Sequence, residues 1–374
     1  MFPWLSILPK IGTKGLDAQI FLFYLWFFKN VNMLKSLSLE NIERLRIQLE
    51  TAERVVITTH HNPDGDALGS ALGLYHILKN GGINSTVITT NSFPEFLSWI
   101  PGAESIVKYS HESAMVADLV SKADIIFCLD YNGYGRTEKM ADMLASASGC
   151  KILIDHHPFP ESEFSILFSE TVVSSTSELV YEVFSSLWGE GIVDENAAVA
   201  LYTGIMTDTG SFSYACNRGR TFEVAGKLVA KGVRVDSVQN AVYNNFSADR
   251  MRLYGFSLLE KMKVFPEFNA AYISLTKDEL ARFSHKMGDT EGFVNLPLSI
   301  KGVVFAALFV ENDGLVKVSL RSRGEFPVNM VSKEFFNGGG HTNAAGGKSF
   351  ASLEDTENIF LEIIKKYKTQ LLKV

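Results

Sequence analysis

Val55-Val56-Ile57-Thr58-Thr59-His60-His61-Asn62-Pro63-Asp64-Gly65-Asp66 runs from a β-branched apolar segment straight into histidines, acids and turn residues. The apolar half reads as a buried strand. Asn-Pro-Asp-Gly reads as a tight turn whose backbone Pro63 and Gly65 define. Such a turn lets His60 and Asp64 converge on one ion and leaves Asp66 at the start of a helix. A second stretch repeats the arrangement: Lys151-Ile152-Leu153-Ile154 leads into Asp155-His156-His157. Oxygen and imidazole donors without thiolates suit Mn²⁺, Mg²⁺ or Zn²⁺. A pair of such ions makes hydroxide at neutral pH and holds both oxygens of an in-line phosphoryl displacement. The plain alternative is an ordinary turn with Asp66 as its helix cap. It weakens once Asp130, directly after Ile125–Leu129, is set beside the two clusters.

Working outward, short β-branched runs at Val55–Thr59, Thr86–Thr90, Ile125–Leu129 and Lys151–Ile154 alternate with helical segments such as Asp66–Asn80, which Gly81-Gly82 ends. Alternation of this kind predicts a parallel sheet with helices on both faces, and ligands at the carboxyl ends of its strands. Asp208 follows the helical pattern Ala197–Met206, within Thr207-Asp208-Thr209-Gly210-Ser211-Phe212. It reads either as a helix-end turn residue or as part of a pocket-lining loop. A helical stretch, Thr221–Lys231 and then Ser237–Glu260, leads to a second α/β unit. Its strands are expected at Ala270–Leu275, Val303–Glu311 and Leu315–Ser322, with helices at Val328–Phe336 and Leu353–Leu371. The expected division is an extension at 1–32, a catalytic domain at 33–225, a helical linker at 226–260 and a substrate-binding domain at 261–374.

A chain of 374 residues is long enough for two cores. Its net charge of −7 argues against tracking long nucleic acid and favours a small or short anionic substrate. Cys128, Cys150 and Cys216 form no close pair, which fits a reducing cytoplasm rather than a disulfide framework. The apolar run Ile20–Phe28 is shorter than the roughly 20 residues a membrane-spanning helix needs. No small-residue cleavage site follows it. The expectation is an over-extended start, with Met33 the first residue of the working protein and no stable membrane association; a membrane-surface anchor is the alternative. Leu34–Glu50 reads as an amphipathic helix. His76, His111 and His285 lack acids around them in sequence and read as structural or solvated, and His61 as a neighbour of the ligand.

Taken together, the motifs resemble the DHH phosphoesterase superfamily, in the branch with a DHHA1-type C-terminal domain (the nanoRNase/pAp phosphatase family). The matching pieces are His60-x-Asn-Pro-Asp64-Gly-Asp66, Asp130, Asp155-His156-His157, Asp208, and Gly338-Gly339-Gly340-His341 with Ala344-Ala345-Gly346. The resemblance starts at Met33. It implies an α/β fold: an N-terminal parallel-sheet DHH domain with helices on both faces, a helical linker, and a smaller C-terminal α/β DHHA1 domain. It implies two divalent ions, Mn²⁺ first and Mg²⁺ second. His60, Asp64 and Asp130 would hold one; Asp66, Asp130, His156 and Asp208 the other, with Asp130 bridging. His157 would assist at the scissile phosphate, with Asp155 orienting a neighbouring imidazole. Arg136, Arg321, Gly338, Gly339, Gly340 and His341 would bind substrate, the glycines through open backbone N–H groups. Arg323 is a weaker candidate. The implied activity is hydrolysis of short oligoribonucleotides to nucleoside 5′-monophosphates and of 3′-phosphoadenosine 5′-phosphate to AMP, by two-metal activation of water. A cyclic di-AMP phosphodiesterase is the alternative and a non-catalytic nucleotide sensor the remote one. A homodimer is the partner state the resemblance suggests. Asn132 and Gly133 depart from the acid or serine that many relatives carry there.

Overall fold

The computed structural model describes residues 34–373. The expectations for residues 1–32 and Met33 lie outside these described residues. The first helix, Leu39–Thr51, starts later than its apolar pattern, because Ser38 caps it by accepting from Asn41 N–H.

Strands β1 (Val55–Thr58), β2 (Ser85–Thr89), β3 (Val107–Lys108), β4 (Ile125–Leu129), β5 (Cys150–Asp155) and β6 (Ile166–Ser169) form one parallel sheet in the order β3-β2-β1-β4-β5-β6. Their period of two sorts side chains to two cores. Val55, Ile57, Ile125 and Phe127 face a large cluster with helices Gly65–Asn80, Thr176–Trp188 and Glu195–Asp208. Val56, Ile126 and Cys128 face a smaller one with Tyr109–Lys122 and Ala141–Ser146. The chain builds outward from β1 on one side and from β4 on the other. The order therefore reverses between these two strands, and a crevice opens at their carboxyl ends. β3 and β6, not foreseen, are the edge strands.

The helical stretch expected from Ser237 to Glu260 is broken. Val235–Tyr243 ends at Asn244, and Ser247 caps a new helix, Ala248–Phe256, by accepting from Arg250 N–H. The second sheet holds β7 (Met262–Phe265), β8 (Ala270–Leu275), β9 (Phe305–Asn312), β10 (Leu315–Ser322), β11 (Gly339–His341) and β12 (Ala344–Ser349), in the order β11-β12-β10-β9-β8-β7. It is antiparallel except between β8 and β9. Helices Val328–Phe335 and Leu353–Lys366 cover one face. Leu253 of the Ala248–Phe256 helix covers the other with Leu280 and Phe293. No helix among the described residues is long and apolar enough to cross a membrane.

Candidate functional site

The turn after β1 is held from outside. His61 N–H donates to Arg136 O at 2.8 Å, and Asn62, at φ 55°, exchanges hydrogen bonds with Asn91. Asp64, not Asp66, is the helix cap: its Oδ1 accepts from the N–H groups of Asp66 and Ala67. Asp66 is thereby free to point inward. Asp130 follows β4 at φ 62°, a conformation Asp tolerates better than most residues. This bend aims its two oxygens in different directions. Oδ2 lies 3.4 Å from His60 Nε2 and Oδ1 3.6 Å from His156 Nε2.

Two groups meet there. His60, Asp64 and Asp130 form one, with His60 Nε2 3.9 Å from Asp64 Oδ1. Asp66, His156 and Asp208 form the other, with His156 Nε2 3.8 Å from Asp66 Oδ2 and 3.5 Å from Asp208 Oδ2. Asp130 touches both imidazoles. All six residues thus lie together, drawn from the ends of β1, β4, β5 and two helices. Asp208 arrives by close helix packing. It ends Glu195–Asp208, which crosses Gly65–Asn80 at glycines: a Cβ on Gly69 would lie 2.6 Å from Ala200 O.

The donors suit hard or borderline divalent cations. Four carboxylates share the site with two imidazoles, and burial together with Asp130 pushes Asp66 well above the usual carboxylate range. Burial disfavours charge on His60, yet Asp130 and Asp64 outweigh it and lift the imidazole to about 10. His60 Nδ1 is 2.9 Å from His61 O, which leaves Nε2 facing the acids. Divalent ions would supply the positive charge this constellation lacks. A prediction follows for the metal-free protein. Raised above its ordinary 6.5, the His60 charge stabilises the fold fully below about pH 6.5 and ceases to do so as pH climbs through about 10. A metal at Nε2 must displace that proton. At pH 8, Mn²⁺ uptake is expected to release about one proton from His60. Calorimetry in buffers of different ionisation enthalpy measures the release, and none at all would contradict the assignment.

Buried support was not read from the sequence. Asp66 accepts from Thr176 N–H at 2.7 Å and Ser177 N–H at 2.9 Å, and the Thr176 hydroxyl donates to Asp130 Oδ1 at 2.9 Å. These donors open the Thr176–Trp188 helix, whose signal was the pattern Ser175-x-x-Glu178. Fully buried Glu178 accepts from Ser174, Arg218 and Thr221. Asp155 Oδ1 lies 2.8 Å from His157 Nδ1 and so orients that ring.

The second sheet delivers His341, which stacks on His157 with centroids 4.5 Å apart and lies 4.6 Å from the His156 ring. Burial, then His156 and His157, push His341 down to about 2, so it stands here as a neutral imidazole. A neutral imidazole N–H at His341 still makes a charge-assisted hydrogen bond to an anion. The glycine segment is a strand rather than an open loop. Residues 339–349 form a hairpin, and Gly338 N–H already donates to Ser332 O. A Cβ on Gly338 would lie 2.0 Å from Gly346 O, so close packing requires that glycine, whereas Gly339 faces open space. Gly340 sits at φ 139°. Arg321 is half-buried on β10, where it donates to Leu320 O, and its charge acts on Tyr214 and Glu291 across the cleft. Arg136 is exposed, and its charge acts on His341. Arg323 lies past the end of β10 and is exposed. Lys348 pairs with Glu138 at 2.8 Å, joining the two halves beside the site.

Comparison with known proteins adds independent findings. The family model for the DHH family, N-terminal domain, matches residues 54–205, and that for the DHHA1 domain matches residues 270–369. A solved exopolyphosphatase-related protein from Bacteroides fragilis is 42% identical, with a TM-score of 0.85 over 89% of this chain and 98% of its own. The bifunctional oligoribonuclease and PAP phosphatase NrnA of Bacillus subtilis is 27% identical over 83% of this chain and 94% of its own. The cyclic-di-AMP phosphodiesterase GdpP of Geobacillus thermodenitrificans is 24% identical over 86% of this chain but 49% of its own.

Proposed function

Because the chain belongs to the DHH/DHHA1 phosphoesterases, we propose that it hydrolyses short oligoribonucleotides to nucleoside 5′-monophosphates and 3′-phosphoadenosine 5′-phosphate to AMP. The observation that carries this reading is the meeting of six acid and histidine side chains under a histidine from the second domain. Similarity to NrnA along nearly the whole length of both chains supports the substrate class. In this reading His60, Asp64 and Asp130 hold one divalent ion, and Asp66, Asp130, His156 and Asp208 the other. Manganese fits first and magnesium second. When bound, such a pair supplies a nucleophile at neutral pH and stabilises charge on phosphorus-bound oxygens.

The chain's own residues do the rest. Asp155 holds His157 Nδ1 and leaves Nε2 as the atom that hands a proton to the leaving oxygen. Thr176 and Ser177 fix Asp66 and Asp130 so that neither rotates as substrate enters. Arg136, Arg321, His341 and the exposed backbone at Gly339 grip phosphate from the cleft walls. A second domain laid over the cluster limits strand length: a short strand has an end that fits beneath it, and a long one does not.

A substrate panel tests the reading. Purified protein with Mn²⁺ or Mg²⁺ is given di- and pentanucleotides, longer RNA, 3′-phosphoadenosine 5′-phosphate, cyclic di-AMP and short-chain polyphosphate. The expected result is preferred turnover of the dinucleotide to 5′-monophosphates, with AMP from the bisphosphate. Preferred turnover of cyclic di-AMP or polyphosphate would replace the reading, and no turnover of any of them would end it.

A further inference from the structure

We infer that the inter-domain pocket at Arg250 is a subsite for a phosphate-bearing nucleoside unit, distal to the unit at the acid-histidine cluster. The inference rests on the function proposed above and extends it to a second place along the strand.

Arg250 is 8% exposed, yet no carboxylate pairs with it among the described residues. The one hydrogen bond its guanidinium makes among them runs from Nη2 to Glu291 O, at 3.0 Å. Its plane stacks on Phe246, 3.5 Å from the ring centre, with Phe293 at 5.5 Å. A guanidinium carries five N–H donors, and a buried cation ordinarily sits against a counter-ion. Burial draws this group below its usual pKa against the opposing pull of Asp289 and Glu291, neither of which reaches it as an ion pair. An anion is the missing partner, and arginine matches the bidentate geometry of phosphate.

The group opens on a cavity of about 410 Å³, within the size range of small-ligand sites. Three separate segments wall it: Phe96 after β2, Asn245 to Ser247 in the break between two helices, and Lys286 of the second domain. Phe96 offers a ring for a base beside the Arg250–Phe246 stack, and Asn245 an amide for its edge. Two acids also line the cavity, and Lys286 engages both: its Nζ lies 3.6 Å from Glu95, and its N–H donates to Asp289 at 2.7 Å. The pocket adjoins the cleft. The loop after β2 that brings Phe96 to the cavity also brings Asn91, which exchanges hydrogen bonds with Asn62 in the turn between His60 and Asp64. A strand bound at the cluster meets this cavity with its next unit.

The test compares kcat/KM for a trinucleotide with that for bis(p-nitrophenyl) phosphate, which has no distal unit. In Arg250→Met the ratio is expected to fall at least tenfold through KM for the trinucleotide, and Arg250→Lys, which keeps the charge, to recover most of it. Arg252→Met, on the same helix and paired with Asp249, is expected to leave the ratio at the wild-type value. Equal losses for both substrates, or none, would overturn the subsite. Anisotropy of a labelled 5′-phosphorylated dinucleotide on the Ca²⁺-loaded protein gives a readout without turnover. There Arg250→Met should weaken binding about tenfold, and unchanged binding would overturn it. Tight competition by free AMP that Arg250→Met abolishes, with unchanged dinucleotide affinity, would assign the pocket to a free nucleotide instead. Wild-type protein that ignores RNA but binds the dinucleotide through Arg250 would sink the proposed function and keep the anion site.

Discussion

Asp130→Ala is expected to lower kcat by on the order of 10³-fold or more while the chain stays folded. The size of the effect follows from the position of one side chain. Asp130 directs Oδ2 to His60 and Oδ1 to His156, so its removal disconnects both groups of candidate ligands. Stability changes far less. The lost carboxylate opposes the charge of Asp66 but supports that of His60, so relief at the acid partly offsets the loss at the imidazole in the metal-free protein. Against that relief also stand the orphaned Thr176 hydroxyl and the cost of alanine at φ 62°. Asp130→Asn keeps the shape and the tolerance for this backbone, and separates charge from strain. Circular dichroism unchanged beside absent turnover is the expected pair of results. Activity within tenfold of wild type in excess Mn²⁺ would remove Asp130 from the centre of the mechanism.

Gly204→Val is expected to cost both stability and activity. A Cβ at Gly204 would lie 1.9 Å from Ser177 Oγ and 2.8 Å from Asp66 Oδ1. The Ser177 and Asp66 side chains must then be displaced, and the Gly65–Asn80 helix that carries Asp66 shifts against the Glu195–Asp208 helix that ends in Asp208. Overpacking of this kind costs about 1–3 kcal/mol, and contact with the buried Ser177 and Asp66 side chains places it at the upper end. Turnover should fall with it, because the two acids of one ligand group ride on the two helices. Gly226→Ala is the control: nothing lies within 4 Å of its Cβ, and alanine in an exposed helix stabilises by about 0.5–1 kcal/mol. Denaturant melts compare the two. A Gly204→Val protein as stable and active as wild type would show that close helix approach does not position the acids.

These two positions also mark what a sequence reveals. Asp130 was legible because a buried parallel strand is a continuous apolar run, and the residue after it stands at the ligand-binding edge. His60, Asp64 and His156 were legible for the same reason, and the 3.6-residue pattern carried Asp208 to a helix end. Gly204 was not, since its reason for being glycine is another helix distant along the chain. Thr176 and Ser177 act through backbone N–H groups, which any sequence supplies. The edge strands β3 and β6 have neighbours on one side only and short patterns, and the helix break at Asn244–Ser247 rests on local capping that a run of helix-compatible residues hid. The stacking of His341 on His157 was not legible, because it is a property of the folded cleft.

We propose that Asp64, Asp66, Asp130, Asp208, His60 and His156 act as one centre for two cations. Equilibrium dialysis against Mn²⁺ tests it most directly, with wild type beside Asp130→Asn and Asp208→Asn. The account predicts about two ions per wild-type chain, about one after Asp208→Asn, and weak or no binding after Asp130→Asn. Wild-type protein that binds no Mn²⁺, or variants that bind as wild type does, would contradict it.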